Sequence, residues 1–224
     1  MCNRPLIFII DKLSPHVLTY FPSSFFKDGA NDYWTTQTGG WCEDFLYQDL
    51  WQDDHPATNL APPLTCSQTN QAPDCAYEDD ILANFTVNSI MNHDPTTGPL
   101  FLYLTWHNVH EPLEVPDAQL AKFDFVFANC SNQRLSDLTK GNSCSQAFLD
   151  MKEDDPVNGR YMANKPCCFR QFYSAMTNYV DGHIGMVIDA LKTKGMWNDT
   201  LLVMSSDNGG PIYRNGSAGA NNFP

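Results

Sequence analysis

Two stretches of the chain carry a helical period. Ile81, Leu82, Phe85, Ile90 and Met91 share one face and predict a helix over 79–93. Glu78, Asp79 and Asp80 stand at its N-terminal end, where the helix dipole favours negative charge, and Asn92 and Pro95 end it. Phe172, Met176, Tyr179, Val180, Ile184, Val187, Ile188 and Leu191 recur at three and four residues and predict a longer helix over 172–194. Lys192 and Lys194 occupy its last turn and Gly195 stops it. Two runs are continuously apolar instead. Leu100–Leu104 is bounded by Gly98-Pro99 and by Trp106-His107-Asn108, and Leu201–Met204 leads into Ser205-Ser206-Asp207-Asn208-Gly209-Gly210. Short unbroken apolar runs suit strands buried on both faces of a parallel sheet. Strand, helix, strand is the order of an α/β fold with a mostly parallel sheet flanked by helices.

The remaining segments have weaker patterns. Residues 1–26 form an apolar leader punctuated by Pro and Ser, without a clear period, and stay unassigned. Residues 27–78 are loop-rich, with turn signals at Asp28-Gly29, Gly39-Gly40 and Pro62-Pro63. Residues 117–170 hold four cysteines and the acidic cluster Glu153-Asp154-Asp155, and read as an elaborated, disulfide-rich loop insertion. His183, inside the second helix, reads as a surface residue.

Composition narrows the class. Among 224 residues, 42% are apolar and 17% charged, which suits a globular chain and excludes a disordered or coiled-coil one. The net charge of −13 argues against nucleic acid or an anionic membrane as a partner. The longest apolar runs, Pro5–Ile10 and Pro99–Leu104, fall far short of the roughly 20 residues that span a bilayer.

The eight cysteines include no C-x-x-C pair, and most lie in Pro/Asn/Ser/Gly-rich stretches. That usage points to disulfides in an oxidising compartment. Cys66 and Cys75 flank a short loop and are the expected pair; Cys130 with Cys144 is expected on the same grounds. Four N-x-[ST] sequons, at Asn84, Asn129, Asn198 and Asn215, also indicate a secreted or otherwise lumenal protein. Yet Leu6–Ile10 is only five residues long and ends at Asp11-Lys12, too short for a signal-peptide core. The expectation that reconciles these signs is a chain lacking its true N-terminus.

Candidate chemistry gathers just beyond the two strands. His107-Asn108-Val109-His110-Glu111-Pro112 follows the first, and Asp207-Asn208-Gly209-Gly210 follows the second. Ligands of parallel sheets bind beyond the carboxyl ends of strands, so both segments are expected on one rim, with Asp207 and Asn208 within about 8 Å of His110. A carboxylate beside an amide oxygen suits Ca²⁺ or Mg²⁺, and a histidine there suits proton transfer or anion contact. Asp-Asn-Gly-Gly is equally an ordinary turn, and a lone histidine is commonly a satisfied polar residue.

Leu100-Phe-Leu-Tyr-Leu-Thr-Trp-His-Asn-Val-His110-Glu-Pro-Leu-Glu-Val-Pro116 resembles the "FLYL…VHxPLxVP" segment of sulfatases, closest to the arylsulfatase B-like branch. Tyr173-Ser-Ala-Met176, Asp181, Ile184-Gly185, Ala190-Leu191, Gly195-Met-Trp-Asn-Asp-Thr200 and Ser206-Asp207-Asn208-Gly209-Gly210 resemble the next block of that family, in the same order. The resemblance implies an alkaline-phosphatase-like fold, partial here, with residues 27–224 as part of the catalytic domain. It implies hydrolysis of a sulfate ester, in a sulfated small molecule or glycan, by attack of a formylglycine hydrate. Asp207 and Asn208 match two of four ligands of a divalent cation, Ca²⁺ or Mg²⁺. His110 matches the histidine that contacts the ester on its leaving-group side; His107 has no such match.

The chain also departs from the family. No cysteine fits C-x-[PA]-x-R, the formylglycine motif. The aspartate pair supplying the other metal ligands, the Gly-Lys-x-His segment and the lysine after Asp-Asn-Gly-Gly have no counterpart. The chain therefore reads as a central fragment, inactive alone. A non-catalytic secreted relative, and a phosphatase or phosphodiesterase of the same superfold, are the alternatives.

Overall fold

The computed structural model describes residues 5–11, 17–18, 33–39, 46–48, 50–52, 55–57, 59–110, 113–128 and 166–206. Eight strands fall within them: β1 (Pro5–Asp11), β2 (Val17–Leu18), β3 (Gln37–Gly39), β4 (Leu46–Gln48), β5 (Trp51–Gln52), β6 (His55–Pro56), β7 (Phe101–Thr105) and β8 (Thr200–Ser206). The helices are α1 (Glu78–Asn92), α2 (Asp117–Leu120), α3 (Asp124–Ala128) and α4 (Pro166–Thr193), with 3-10 turns at Ala121–Phe123 and Trp197–Asp199. Strands β3–β4 and β5–β6 are separate antiparallel pairs.

The main sheet has the order β2-β7-β1-β8. β7 and β8 both run antiparallel to β1, so they point the same way, as a parallel sheet requires. They are not neighbours, because β1 lies between them. Only β2–β7 is a parallel pairing, so the expectation of a mostly parallel sheet is corrected to a mixed one among the described residues. The apolar leader, unassigned from its pattern, supplies that central strand. An inserted antiparallel strand satisfies the backbone donors and acceptors of both flanking strands at once.

The helices form one layer against this sheet. Leu100, Leu102, Leu104 and Trp106 pack with Leu82, Ala83 and Ile90 of α1 and with Val180, Val187, Ala190 and Leu191 of α4. The stripe predicted on α4 is used, but the one predicted on α1 is corrected: Leu82 and Ile90 face the core, Met91 is 39% exposed, and Ala83 and Thr86 are buried beside them. α1 and α4 pack against each other. Along β7, Leu102 and Leu104 are buried while Phe101, Tyr103 and Thr105 are half-buried, so one face is sealed more fully than the other. β8 is exposed rather than buried. Leu201 is 57% and Met204 61% accessible, because β8 is the edge of the described sheet and only Leu202 leans on the helical layer.

Local chemistry sets the element ends. α4 begins at Pro166, six residues before Phe172; proline suits the first helical position because its missing N–H would have no partner there. It ends as expected at Gly195, whose φ of +74° lets the Met196 N–H reach the Leu191 carbonyl at 2.9 Å. Of the stretch read as an insertion, 117–128 is helical and packs on α4. Gln119 Nε2 donates to Asn178 Oδ1 at 2.8 Å, and Gln171 Nε2 donates to Asp124 Oδ1 at 2.8 Å.

A second core cluster lies beyond the C-terminal end of β7. Tyr33, Trp34, Cys66, Tyr77, Val109, Leu113, Val115, Leu120, Phe172 and Met176 are buried together there. Cys66 and Cys75 form the expected disulfide, with Cα atoms 5.5 Å apart. Within the stapled loop, Gln68 grips the segment at 115 as a backbone would: its Oε1 accepts the Val115 N–H at 2.8 Å and its Nε2 donates to the Val115 carbonyl at 2.9 Å. Cys130 and Cys144 lie outside the described residues.

Candidate functional site

The C-terminal end of β7 enters a shell of polar groups. Trp106, His107 and Asn108 continue the strand into the interior, and the chain then turns so that the His110 N–H donates to the His107 carbonyl at 2.8 Å. His110 itself is half-buried. Tyr33 closes the turn from the other side: its hydroxyl donates to the His110 carbonyl at 2.9 Å. Its ring stacks on Tyr77 with centroids 5.4 Å apart and meets the His107 ring edge-on at 6.1 Å. Tyr33 N–H donates to Glu114 Oε2 at 3.2 Å, so the residues on both sides of His110 are tied to one tyrosine.

The first turn of α1 meets this strand end with three carboxylates, each given a different partner. Glu78 Oε1 lies 2.5 Å from His107 Nδ1, and both side chains are 5% exposed. Asn108 Nδ2 donates to Asp79 Oδ2 and to the Tyr77 hydroxyl. Asp80 Oδ1 accepts from the Tyr179 hydroxyl at 2.7 Å and lies 2.9 Å from His183 Nε2, so it ties α1 to α4. Tyr77, whose hydroxyl donates to the Glu114 carbonyl at 2.8 Å, completes the shell.

These partners explain the ionisation of the buried groups. Burial, then the charge of Glu78, pushes the Asp79 carboxyl up to about 7 against the opposing pull of His183, Asn108 and His107. Burial, with Asp79 next, holds the Tyr77 phenol well above its usual range. Burial, then the hydrogen bond and charge of Asp80, raises Tyr179.

His183 is a correction to the sequence reading. It is 5% exposed, and its ring lies flat against Trp106 at 5.5 Å. Its spacing carried the signal, since it falls four residues after Tyr179 and four before Val187, inside the apolar stripe of α4. Glu78, Asp79 and Asp80 read as dipole-stabilising charges and His107 as unmatched; no local pattern announces that they meet.

Asp207 and Asn208 lie outside the described residues, but the strand that leads to them does not. Thr105 of β7 and Ser205 of β8 both face Leu6 of β1, one from each side. The two strands therefore end level on the same rim, about 10 Å apart across one intervening strand. Among the described residues no group of three or more His, Cys, Asp or Glu is disposed to hold a metal ion. The shallow groove between Pro95–Pro99 and Lys194–Asp199 lies at the opposite, N-terminal end of β7. Of the sequons, Asn84 on α1 and Asn198 in the turn before β8 are exposed, while Asn129 and Asn215 lie outside the described residues.

Comparison with known proteins bears on this rim. A family model described as Sulfatase matches residues 17–223. An arylsulfatase of Klebsiella aerogenes is 28% identical over 149 residues, covering 61% of this chain and 31% of that protein. Arylsulfatase J of Mus musculus is 27% identical over 135 residues, covering 60% of this chain and 15% of that protein. The chain thus spans under a third of the length of either relative.

Proposed function

Because the chain belongs to the sulfatase family, we propose that its β7–β8 rim is part of the catalytic site of a sulfate-ester hydrolase of the arylsulfatase type, in the B-like branch. The level ends of β7 and β8 support this reading, with His110 following the first strand and Asp207 next in sequence after the second. His110 acts on the leaving-group side of the ester, where an imidazole can hydrogen-bond or protonate the departing oxygen. Asp207 and Asn208 contribute a carboxylate and an amide oxygen to a divalent cation, Ca²⁺ or Mg²⁺. That donor set fits a hard cation, which when bound neutralises charge on sulfate oxygens. The sequence contains no C-x-[PA]-x-R, so no nucleophilic step is derived from these residues. The substrate is a sulfated small molecule or glycan. The protein is secreted or lysosomal, with glycans at Asn84, Asn129, Asn198 and Asn215 and a further disulfide between Cys130 and Cys144.

The reading is tested with the chain of residues 1–224, Ca²⁺ and inorganic sulfate. Two side-chain ligands out of the 6–8 that Ca²⁺ takes imply weak binding, on the order of millimolar. Sulfate should shift the His110 ring resonances when Ca²⁺ is present, and Asp207→Ala should abolish the shift. A chromogenic aryl sulfate should not be turned over. Sulfate that binds without perturbing His110 overturns the site assignment. Turnover lost in Asp207→Ala overturns the inactivity of this chain alone.

A further inference from the structure

The Glu78–His107 pair is an odd element of a core. Two ionisable side chains, each 5% exposed, are 2.5 Å apart where an apolar pair would fill the space without the desolvation cost. Its place in the fold gives it a consequence. His107 is the first residue of the turn whose fourth residue is His110, and its carbonyl holds the His110 N–H. Its ring is bounded by Glu78 on one side and by the Tyr33 ring on another, and Tyr33 holds the His110 carbonyl. Both backbone groups of His110 are thus bonded to His107 itself or to a residue whose ring meets that of His107. A rotation of that ring would loosen the turn at both ends. Asp79, through Asn108, fixes the next residue from the same helix turn.

We infer that Glu78 and His107 are positioning residues for His110, with α1 as the rigid element that aims the histidine at the sheet rim. This inference rests on the reading of His110 as the group that meets the ester; the pair itself touches no substrate. Glu78 holds the ring of His107, and the ring sets the turn. The α1 dipole, positive at this end, keeps the Glu78 carboxylate in place as the anchor.

The test reads His110 directly in isotope-labelled chain 1–224, with its resonances assigned from His110→Gln. Two quantities are followed: amide hydrogen exchange at His110 and the pH titration of its ring. Glu78→Gln should speed His110 exchange by about tenfold, since it weakens the buried contact with His107, and displace its titration by about half a pH unit. His107→Gln, which keeps a donor toward Glu78, should be intermediate between wild type and His107→Ala. Leu82→Ala is the comparison for lost stability alone: it opens a cavity between α1 and the sheet, removes none of the contacts of the His110 turn, and should leave the His110 titration unchanged. If Glu78→Gln does not fold, the double variant Glu78→Gln/His107→Gln, which leaves no unpaired charge, takes its place against Leu82→Ala. Exchange and titration at His110 that match those of Leu82→Ala overturn the inference. Failure of the sulfatase reading is distinguishable, because wild-type His110 would then ignore sulfate while still responding to these variants.

Discussion

Asp79 is enclosed on all sides, with Glu78, His107, Asn108 and His183 facing it, and its carboxyl rises to about 7. In an unfolded chain it would titrate near 3.9. Between those values the folded state binds the extra proton, so this residue stabilises the fold most below about pH 4 and loses that contribution as pH rises to about 7. Asp79→Asn should remove that part of the pH dependence, at most about 1.4 kcal/mol per pH unit at its steepest. Urea midpoints at pH 5 and pH 7.5 should differ less in the variant than in the wild type. An unchanged difference would place the titration elsewhere. The same residue shows why a carboxylate at a helix N-terminus is ambiguous in a sequence: the dipole accounts for the charge, and only the approach of Asn108, His107 and His183 accounts for its burial.

The loop closed by Cys66–Cys75 acts through its glutamines. Gln68 and Gln71 bond to Val115 and Asp117, so the staple orders a segment 40 or more residues away that follows the His110 turn. Closing a loop with a sequence separation of nine removes unfolded-state entropy worth about 2.5 kcal/mol in the chain-entropy account. The double variant Cys66→Ser/Cys75→Ser should lose about that much stability in urea titration. Its Val115 amide, held by Gln68, should lose exchange protection before the α4 amides do. A loss spread evenly over both cores would mean that the loop only adds stability and does not position 113–117. The pairing was legible because its span is short; what the loop grips was not, since a glutamine in a loop carries no directional signal.

The chain as a whole carries a formal net charge of −13, and among the described residues no helix is long and apolar enough to cross a membrane. Two described sequons are open to modification on this surface. Asn198 stands in the 3-10 turn between α4 and β8, and Asn84 in the middle of α1, both exposed. A turn presents its asparagine to a modifying enzyme without unwinding helical hydrogen bonds. Expression in a glycosylating host followed by peptide mass mapping should therefore find Asn198 occupied, and more fully than Asn84. An unmodified Asn198 beside a modified Asn84 would reverse that ranking.

Local pattern alone determined α1, α4, β7 and the run of β8, the stop at Gly195, the Cys66–Cys75 pair and the family. Each of these depends on residues close in sequence: a period, a cap, a short span, a contiguous motif. Tertiary structure decided the rest. A period states which residues share a face but not what lies opposite. The placement of His183 against Trp106 and the meeting of Glu78 with His107 therefore appeared only when α1, α4 and β7 converged. The continuous apolar run of β8 reads as a buried strand, yet burial depends on neighbours, and here its one described strand partner is β1. The direction of β1 was likewise invisible, because an apolar run pairs equally well either way; the antiparallel choice follows from which strands it joins.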